Sequence, residues 1–284
     1  MIRTRRQYRV RMSLLVTSEL VILAILLAVA SCAGSGDDSP AVEEAATASA
    51  APGVEAKPPS GPTESATGYT VIDVTDGGAI RGTIRFAGTV PPPRTTEVDD
   101  DVEACGEMQS RLPVTVGENG GLSDVVASLV DIDRGIALEA GASAPALDQQ
   151  TCRFEPHVLL APVGAPVQIL NSDPVTHNIH TVTFDNRAVN RAQPAGVRVI
   201  EVSFKVDEKV KVKCDIHDWM GAWIIAIEHP YHAITDVRGE FAIEDVPPGT
   251  YTLELWHEEL GATRQEVTVA AGEVAMIDAS MAGN

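Results

Sequence analysis

The chain has 284 residues, a formal net charge of −19 at pH 7 and a hydrophobic content of 44%. This length allows one large or two small folded domains after any export segment. Because an acidic surface repels phosphate groups, the composition argues against binding to nucleic acid or anionic lipid. It favours a partner with a basic docking surface.

The first 31 residues have the composition of an export signal. An apolar run from Leu20 to Ala30 has the length of a signal-peptide h-region and is too short to span a bilayer. Arginines precede this run, at Arg3, Arg5, Arg6, Arg9 and Arg11. The run ends in Val-Ala-Ser-Cys, which resembles the lipobox of bacterial lipoproteins. The resemblance implies removal of residues 1–31 and lipidation of Cys32, which would anchor an exported protein to the cell envelope. An ordinary secretory signal with an incidental Cys32 is the alternative.

Residues 32–68 are predicted to be a disordered tether. Ala, Ser, Pro, Gly and Glu dominate, and a segment with so few large apolar side chains cannot bury enough surface to fold. Such a linker would hold the folded part away from the membrane. Without residues 1–31 the 21 basic and 40 acidic residues fall to 16 and 39, a net charge of −23.

From residue 69 onward the pattern predicts an all-β fold. Apolar and polar residues alternate in segments separated by clusters of Gly, Pro and Asp, as in a β-sandwich. No segment has the periodicity of a long amphipathic helix, and residues 99–121 are expected to form a surface excursion. The alternating segments are residues 80–86, 197–206, 251–255 and 265–269.

Residues 214–220 carry the densest cluster of side chains that bind metals. Cys214, His217 and Met220 lie between two strand-like runs, so a tight turn would point all three at one spot. A trigonal Cys/His2 site with a weak axial Met is the arrangement of blue copper sites. The second histidine is expected from residues 171–180, which contain His177 and His180.

Together these segments resemble the cupredoxins. A Cys-x-x-His-x-x-Met loop preceded by Asn-x-Asp-x-x-x-His-Asn is closest to amicyanin and pseudoazurin, and the plastocyanin-like resemblance covers residues 145–228. It implies a Greek-key sandwich and an imidazole on the ligand loop that reaches the surface. It also implies one type 1 copper per chain, with His177, Cys214 and His217 as strong ligands, Met220 as axial ligand, and Asn178, Asp173 and Trp219 around them. Asn178 matches the family residue that ties the two ligand loops together.

Each predicted ligand could instead be an ordinary structural residue. A lone buried cysteine is usually inert and a lone methionine usually packs a core, so the prediction depends on the joint spacing of all four. His180 is three residues from His177, and in a strand the two would face opposite sides. His180 is therefore expected to lie outside the metal site.

Residues 229–284 carry a second resemblance. Residues 234–241 and 246–251 resemble the carboxypeptidase regulatory-like domain, which is a smaller, transthyretin-like β-sandwich. These residues are few for a whole sandwich, and residues 82–88 resemble the opening strand of this family. Residues 69–144 are therefore a candidate to complete the sandwich around an inserted cupredoxin domain. Whether residues 125–132 belong to one unit or the other is left open.

The four cysteines are consistent with this assignment. With Cys32 assigned to lipid and Cys214 to metal, Cys105 and Cys152 remain, and an exported chain favours a disulfide between them. The competing scheme pairs Cys214 with one of these two and would abolish the metal site.

The predicted function is the transfer of single electrons between redox partners, without catalysis. The sequence has no nucleophile elbow and no phosphate loop. One alternative is a non-redox β-sandwich module that binds a carbohydrate or protein partner and has a vestigial copper site. The other is a copper enzyme, which would need further His-rich copper centres.

Overall fold

The computed structural model describes residues 68–139, 141 and 143–283, and strands account for nearly all of their regular structure. The prediction of an all-β fold is confirmed. These residues belong to one unit, Pro58–Asn284. Within them, no helix has the length and apolar character needed to cross a bilayer. The signal segment, Cys32 and the tether up to residue 67 lie outside the described residues.

The strands fall into three consecutive groups. The first group contains β1 (Thr70–Val71), β2 (Gly78–Phe86), β3 (Arg94–Glu97), helix α1 (Val102–Cys105), β4 (Met108–Arg111), a 3₁₀ turn (Glu118–Gly120), β5 (Val126–Leu129) and β6 (Arg134–Gly135). The second contains β7 (Ala146–Gln150), β8 (Arg153–Glu155), β9 (Val158–Pro162), β10 (Val167–Asn171), β11 (His177–Val182), β12 (Asn190–Gln193), β13 (Val199–Val202), β14 (Glu208–Lys213) and β15 (Gly221–Ile227). The third contains β16 (His232–Ile234), β17 (Glu240–Val246), β18 (Gly249–His257), β19 (Gly261–Val269) and β20 (Val274–Met281).

Strands β7 to β15 form a sandwich that we call the inserted sandwich. Its two sheets have the orders β12-β11-β14-β15-β9 and β13-β10-β7-β8. Side chains that alternate along the strands meet between the sheets, because period-two alternation places one set on the inner face. Leu147 and Ile169 from one sheet and Ile179, Val210 and Ile224 from the other are fully buried in one core.

The second sandwich, which we call the host sandwich, is built from both ends of the folded chain. Its sheets have the orders β16-β5-β18-β19 and β17-β2-β20. Strand β2 pairs in parallel with β20 along its length, and β5 pairs with both β16 and β18. Residues 229–284 are therefore only part of a sandwich, and the inserted sandwich interrupts it. Strand β5 places most of residues 125–132 in the host.

The two sandwiches meet along strand β15. Val126 of the host packs with Val158 and Ile225 of the inserted sandwich in a small buried cluster. Beside this cluster the carboxylate of Glu258 lies 2.6 Å from His157 Nε2 and accepts a hydrogen bond from the Trp223 indole at 2.7 Å. Strand β15 is consequently covered on both faces, which explains its nearly continuous apolar sequence.

Residues 94–111 form a small substructure that we call the cap. Strands β3 and β4 pair antiparallel, and helix α1 lies between them. Val98 and Cys105 of the cap are buried in the core of the inserted sandwich, and Cys105 is disulfide-bonded to Cys152. Most residues from 99 to 111 are exposed, as expected for a surface excursion, but the disulfide and the buried side chain of Cys105 attach the segment to the core.

Candidate metal centre

Two neighbouring segments supply the predicted ligands. His177 is the first residue of β11, and Cys214, His217 and Met220 lie in the loop that joins β14 to β15. The loop closes on itself through hydrogen bonds from Cys214 N to Met220 O (3.3 Å) and from Met220 N to His217 O (3.0 Å). Because β11 pairs with β14, the start of β11 lies beside this loop.

The side chains of His177, Cys214 and His217 converge. The Nδ1 atoms of His177 and His217 are 2.9 Å apart, and Cys214 Sγ is 3.8 Å from His217 Nδ1. One ligand atom from each of the three residues lies within 4.8 Å of the others. Both histidines are completely buried and Cys214 is 2% exposed, so the group is closed to water.

Met220 and Trp219 form part of the wall around this group. Met220 is 2% exposed and belongs to the same buried core as Cys214. The ring of Trp219 lies 5.1 Å from the His217 ring, centroid to centroid, and its indole donates to the backbone carbonyl of Cys152 at 3.0 Å. Trp219 is therefore fixed against one side of His217.

Asn178 links the two ligand segments. Its side-chain oxygen accepts hydrogen bonds from Asp215 N at 2.6 Å and from the Cys214 thiol at 3.3 Å. The backbone N–H of His217 donates to Cys214 Sγ at 3.4 Å. Hydrogen bonds to a ligating sulfur tune the electronic properties of a metal site. Asn178 thus holds β11 to the ligand loop and contacts the sulfur directly.

Asp173 lies behind His177. Its Oδ2 is 2.9 Å from His177 Nε2, while the backbone N–H groups of Thr151 and Cys152 donate to the same carboxylate at 2.7 and 2.8 Å. Burial lowers the pKa of His177, and the nearby His217 lowers it further, against the opposing effect of Asp173. The neutral imidazole, which is the form that ligates metals, is therefore favoured.

His217 does not reach the surface as expected. Its Nε2 faces the carboxylate of Asp101 at 3.2 Å, and the cap covers the ring. Asp101 was not predicted as a site residue because 116 positions separate it from His217. The available signal was the cysteine four residues further on, since a disulfide to Cys152 requires the cap to lie on the inserted sandwich.

Two alternatives to this ligand set concerned Cys214 and His180. Among the described cysteines, Cys214 alone is free, so the scheme that pairs it in a disulfide does not occur. His180 pairs with Lys213 across the sheet and directs its Nδ1 at Asp215, 2.7 Å away. It lies outside the group formed by His177, Cys214 and His217.

Comparison with known proteins gives partial matches. Residues 217–277 match the family model described as polysaccharide lyase family 4, domain II. No curated protein matches the chain.

Solved structures resemble part of the chain. A novel purple cupredoxin from Nitrosopumilus maritimus is 21% identical, with 29% of this chain and 99% of that one covered and a TM-score of 0.26. A copper-containing nitrite reductase from Thermus scotoductus SA-01 is 19% identical, with 32% and 25% covered and a TM-score of 0.27. An oxidised amicyanin variant is 19% identical, with 36% and 98% covered and a TM-score of 0.27.

Proposed function

We propose that this protein is an exported, lipid-anchored type 1 copper protein that carries single electrons and is not an enzyme. One copper would be held by His177, Cys214 and His217, with the thioether of Met220 as a further, weaker ligand. The observation that carries the proposal is the convergence of two imidazole nitrogens and a cysteine sulfur in a buried pocket. Soft sulfur combined with imidazole is the ligand set of blue copper sites.

The hydrogen bonds around the two histidines fit a bound cation. Nε2 of His177 faces Asp173 and Nε2 of His217 faces Asp101, so each ring has a carboxylate to accept its single neutral-state proton. Both Nδ1 atoms then present lone pairs to each other at 2.9 Å, with the sulfur of Cys214 beside them. Such electron-rich atoms repel one another in a buried pocket unless a proton or a metal cation lies between them.

The protein would contribute rigidity and exclusion of water. When bound, copper supplies a one-electron couple between Cu(II) and Cu(I). Asn178 and the closed ligand loop hold Cys214 and His217, while Asp173 holds His177. Fixed ligands need little rearrangement when the charge at the site changes, and burial keeps water from occupying a ligand position.

A basic redox protein is the proposed partner. Residues 99–107 contain five acidic side chains, all of them exposed, and this part of the cap covers His217. Acidic groups near the site would steer a positively charged partner towards it. Cytochromes or copper proteins with lysine-rich surfaces are therefore suitable probes, and binding should weaken as ionic strength rises.

The decisive experiment is an absorption and EPR spectrum of the full chain, purified in detergent and loaded with Cu(II). We expect one copper per chain and an intense charge-transfer band in the visible that reductant bleaches. If the folded protein binds no copper, the electron-carrier proposal is wrong. A non-redox binding module then takes its place, and the match of residues 217–277 to a polysaccharide lyase domain makes polysaccharides the first ligands to test.

The anchor has its own test. The lipobox-like segment predicts that Cys32→Ala releases the protein from the membrane fraction or leaves the precursor unprocessed. Fractionation with mass measurement of the N-terminal peptide checks this. An unchanged mass and unchanged membrane association would contradict the lipid assignment without affecting the copper proposal.

A further inference from the structure

The second histidine of the candidate centre has a carboxylate that comes from outside the inserted sandwich. His217 has no exposed surface, its Nδ1 faces His177 and Cys214, and its Nε2 is 3.2 Å from Asp101 Oδ2. A carboxylate at Nε2 keeps the proton of a neutral imidazole on that nitrogen, which leaves the Nδ1 lone pair directed into the pocket. Asp101 is thus placed to select the tautomer that binds a metal.

Asp101 has an unusual conformation for a residue at the start of a helix. Asp101 is the N-cap of helix α1, where an aspartate side chain ordinarily accepts a hydrogen bond from the helix. Here the side chain makes no capping hydrogen bond. Its φ of 56° lies in the left-handed region, which costs energy for a residue other than glycine. The carboxylate instead lies against Nε2 of His217.

A disulfide joins this turn to the carboxylate behind the other histidine. The carbonyl of Asp101 accepts hydrogen bonds from Ala104 N and Cys105 N, both at 2.9 Å, so Cys105 belongs to the same turn. Its disulfide partner Cys152 donates its N–H to Asp173, which faces His177. One covalent bond thereby links the supports of both histidines.

We propose that Asp101 is a positioning residue for His217 and that the Cys105–Cys152 disulfide holds it there. The disulfide-bonded cap thus covers His217 and orients its ring already in the metal-free protein. The position of the proton on the His217 ring is a property of the metal-free protein. The effect on copper affinity rests on the proposed function, so the two are tested separately.

The first test needs no copper. Nitrogen-15 NMR of the histidine rings in the metal-free full chain at neutral pH should show the proton of His217 on Nε2. In Asp101→Ala the preference for this tautomer should be lost, whereas Asp100→Asn, which removes a charge from the same segment, should leave it unchanged. A proton on Nδ1 in the wild type, or a tautomer insensitive to Asp101→Ala, would overturn the proposal.

The second test measures copper affinity by competition with a chelator. Loss of a carboxylate behind a ligating histidine costs about 10–100-fold in metal affinity. We expect such a loss for Asp101→Ala and a smaller one for Asp101→Asn, whose amide oxygen still accepts a hydrogen bond. Equal effects of Asp101→Ala and Asp100→Asn would show that only net charge matters and would overturn the positioning role. If the wild type binds no copper, the proposed function fails while the NMR result still decides the role of Asp101.

The role of the disulfide is tested by coupling. In a Cys105→Ser/Cys152→Ser background, Asp101→Ala should cost little further affinity, because the carboxylate is no longer held. A full additional loss in that background would show that Asp101 is positioned without the disulfide. Should the double variant fail to fold, reduction of the disulfide in the folded, metal-free wild type gives the same answer by NMR. His217 should then lose its Nε2 preference, and retention of that preference would overturn the role of the disulfide.

Discussion

The two sandwiches bury polar side chains in different ways. In the host, Glu254 is 4% exposed, and its carboxylate is paired with Arg264 of the host and with Lys209 of the inserted sandwich, each at 2.8 Å. In the inserted sandwich, His177 and His217 direct their Nδ1 atoms at each other and at a cysteine sulfur. A buried polar group with complementary partners stabilises or orients the fold. Several buried nitrogen and sulfur atoms whose lone pairs point at one spot instead form a candidate site for a cation.

The largest effect is expected when the cysteine of the candidate metal centre is replaced. Cys214→Ser should abolish the visible charge-transfer band of the copper-loaded protein, because the thiolate is the origin of that transition. Absorption spectroscopy at matched copper concentration measures this. A variant that keeps an intense visible band would show that Cys214 is not the sulfur ligand.

The next variant changes the core of the host sandwich and leaves the candidate metal centre intact. Leu253 is fully buried between the host sheets, so Leu253→Ala should lower the free energy of unfolding by about 2–5 kcal/mol. The copper band should be unchanged while the protein remains folded, because Leu253 belongs to a buried cluster separate from the one that contains Cys214 and Met220. Denaturant titration gives the stability. Bleaching before the unfolding transition would show that the sandwiches are more closely coupled than we propose.

A smaller effect is expected at the junction of the two sandwiches. Burial raises the pKa of Glu258, but hydrogen bonds and charges from His157, Trp223 and Arg111 outweigh it and lower the pKa to about 2. Burial lowers the pKa of His157, but the hydrogen bond and charge of Glu258 outweigh it and raise the pKa above 6.5.

These two shifts define a pH window. The contribution of Glu258 is present above pH 4.5 and is lost as pH falls towards about 2. The contribution of His157 is complete below pH 6.5 and is lost as pH rises through its raised pKa. Glu258→Gln should therefore cost about 1–3 kcal/mol, most between pH 4.5 and 6.5. Unfolding at several pH values checks this, and a cost independent of pH would contradict the pairing.

The smallest effect is expected at the neighbouring histidine. His180→Ala should leave the copper spectrum nearly unchanged, because His180 directs its Nδ1 at Asp215 and away from the ligand group. His177→Ala is the matched comparison and should open a position that added imidazole can fill. Bleaching by His180→Ala with a normal spectrum for His177→Ala would reverse the ligand assignment.

Local patterns in the sequence predicted the strands and the ligand loop. Alternation indicated strands near residues 80–86 and 251–255, where β2 and β18 occur, because the period of a strand is imposed by its own backbone. The spacing of Cys214, His217 and Met220 indicated a shared loop, since residues three apart in a tight turn cannot lie far from one another. A partner outside the loop, His177, was predicted only through a resemblance to a known family.

Contacts between distant parts of the chain could be decided only by the tertiary structure. The parallel pairing of β2 with β20 closes the host sandwich around the inserted one. A family resemblance suggested that the early segment completes this sandwich, but the alternation in β2 does not specify which strand it pairs with. The contact between Asp101 and His217 is of the same kind. An aspartate in an acidic segment resembles its neighbours in sequence, and only the folding of the cap over the ligand loop distinguishes it. The sequence by itself indicated which side chains are candidate metal ligands, and the tertiary structure shows that one of them, His217, is buried and lies against a carboxylate.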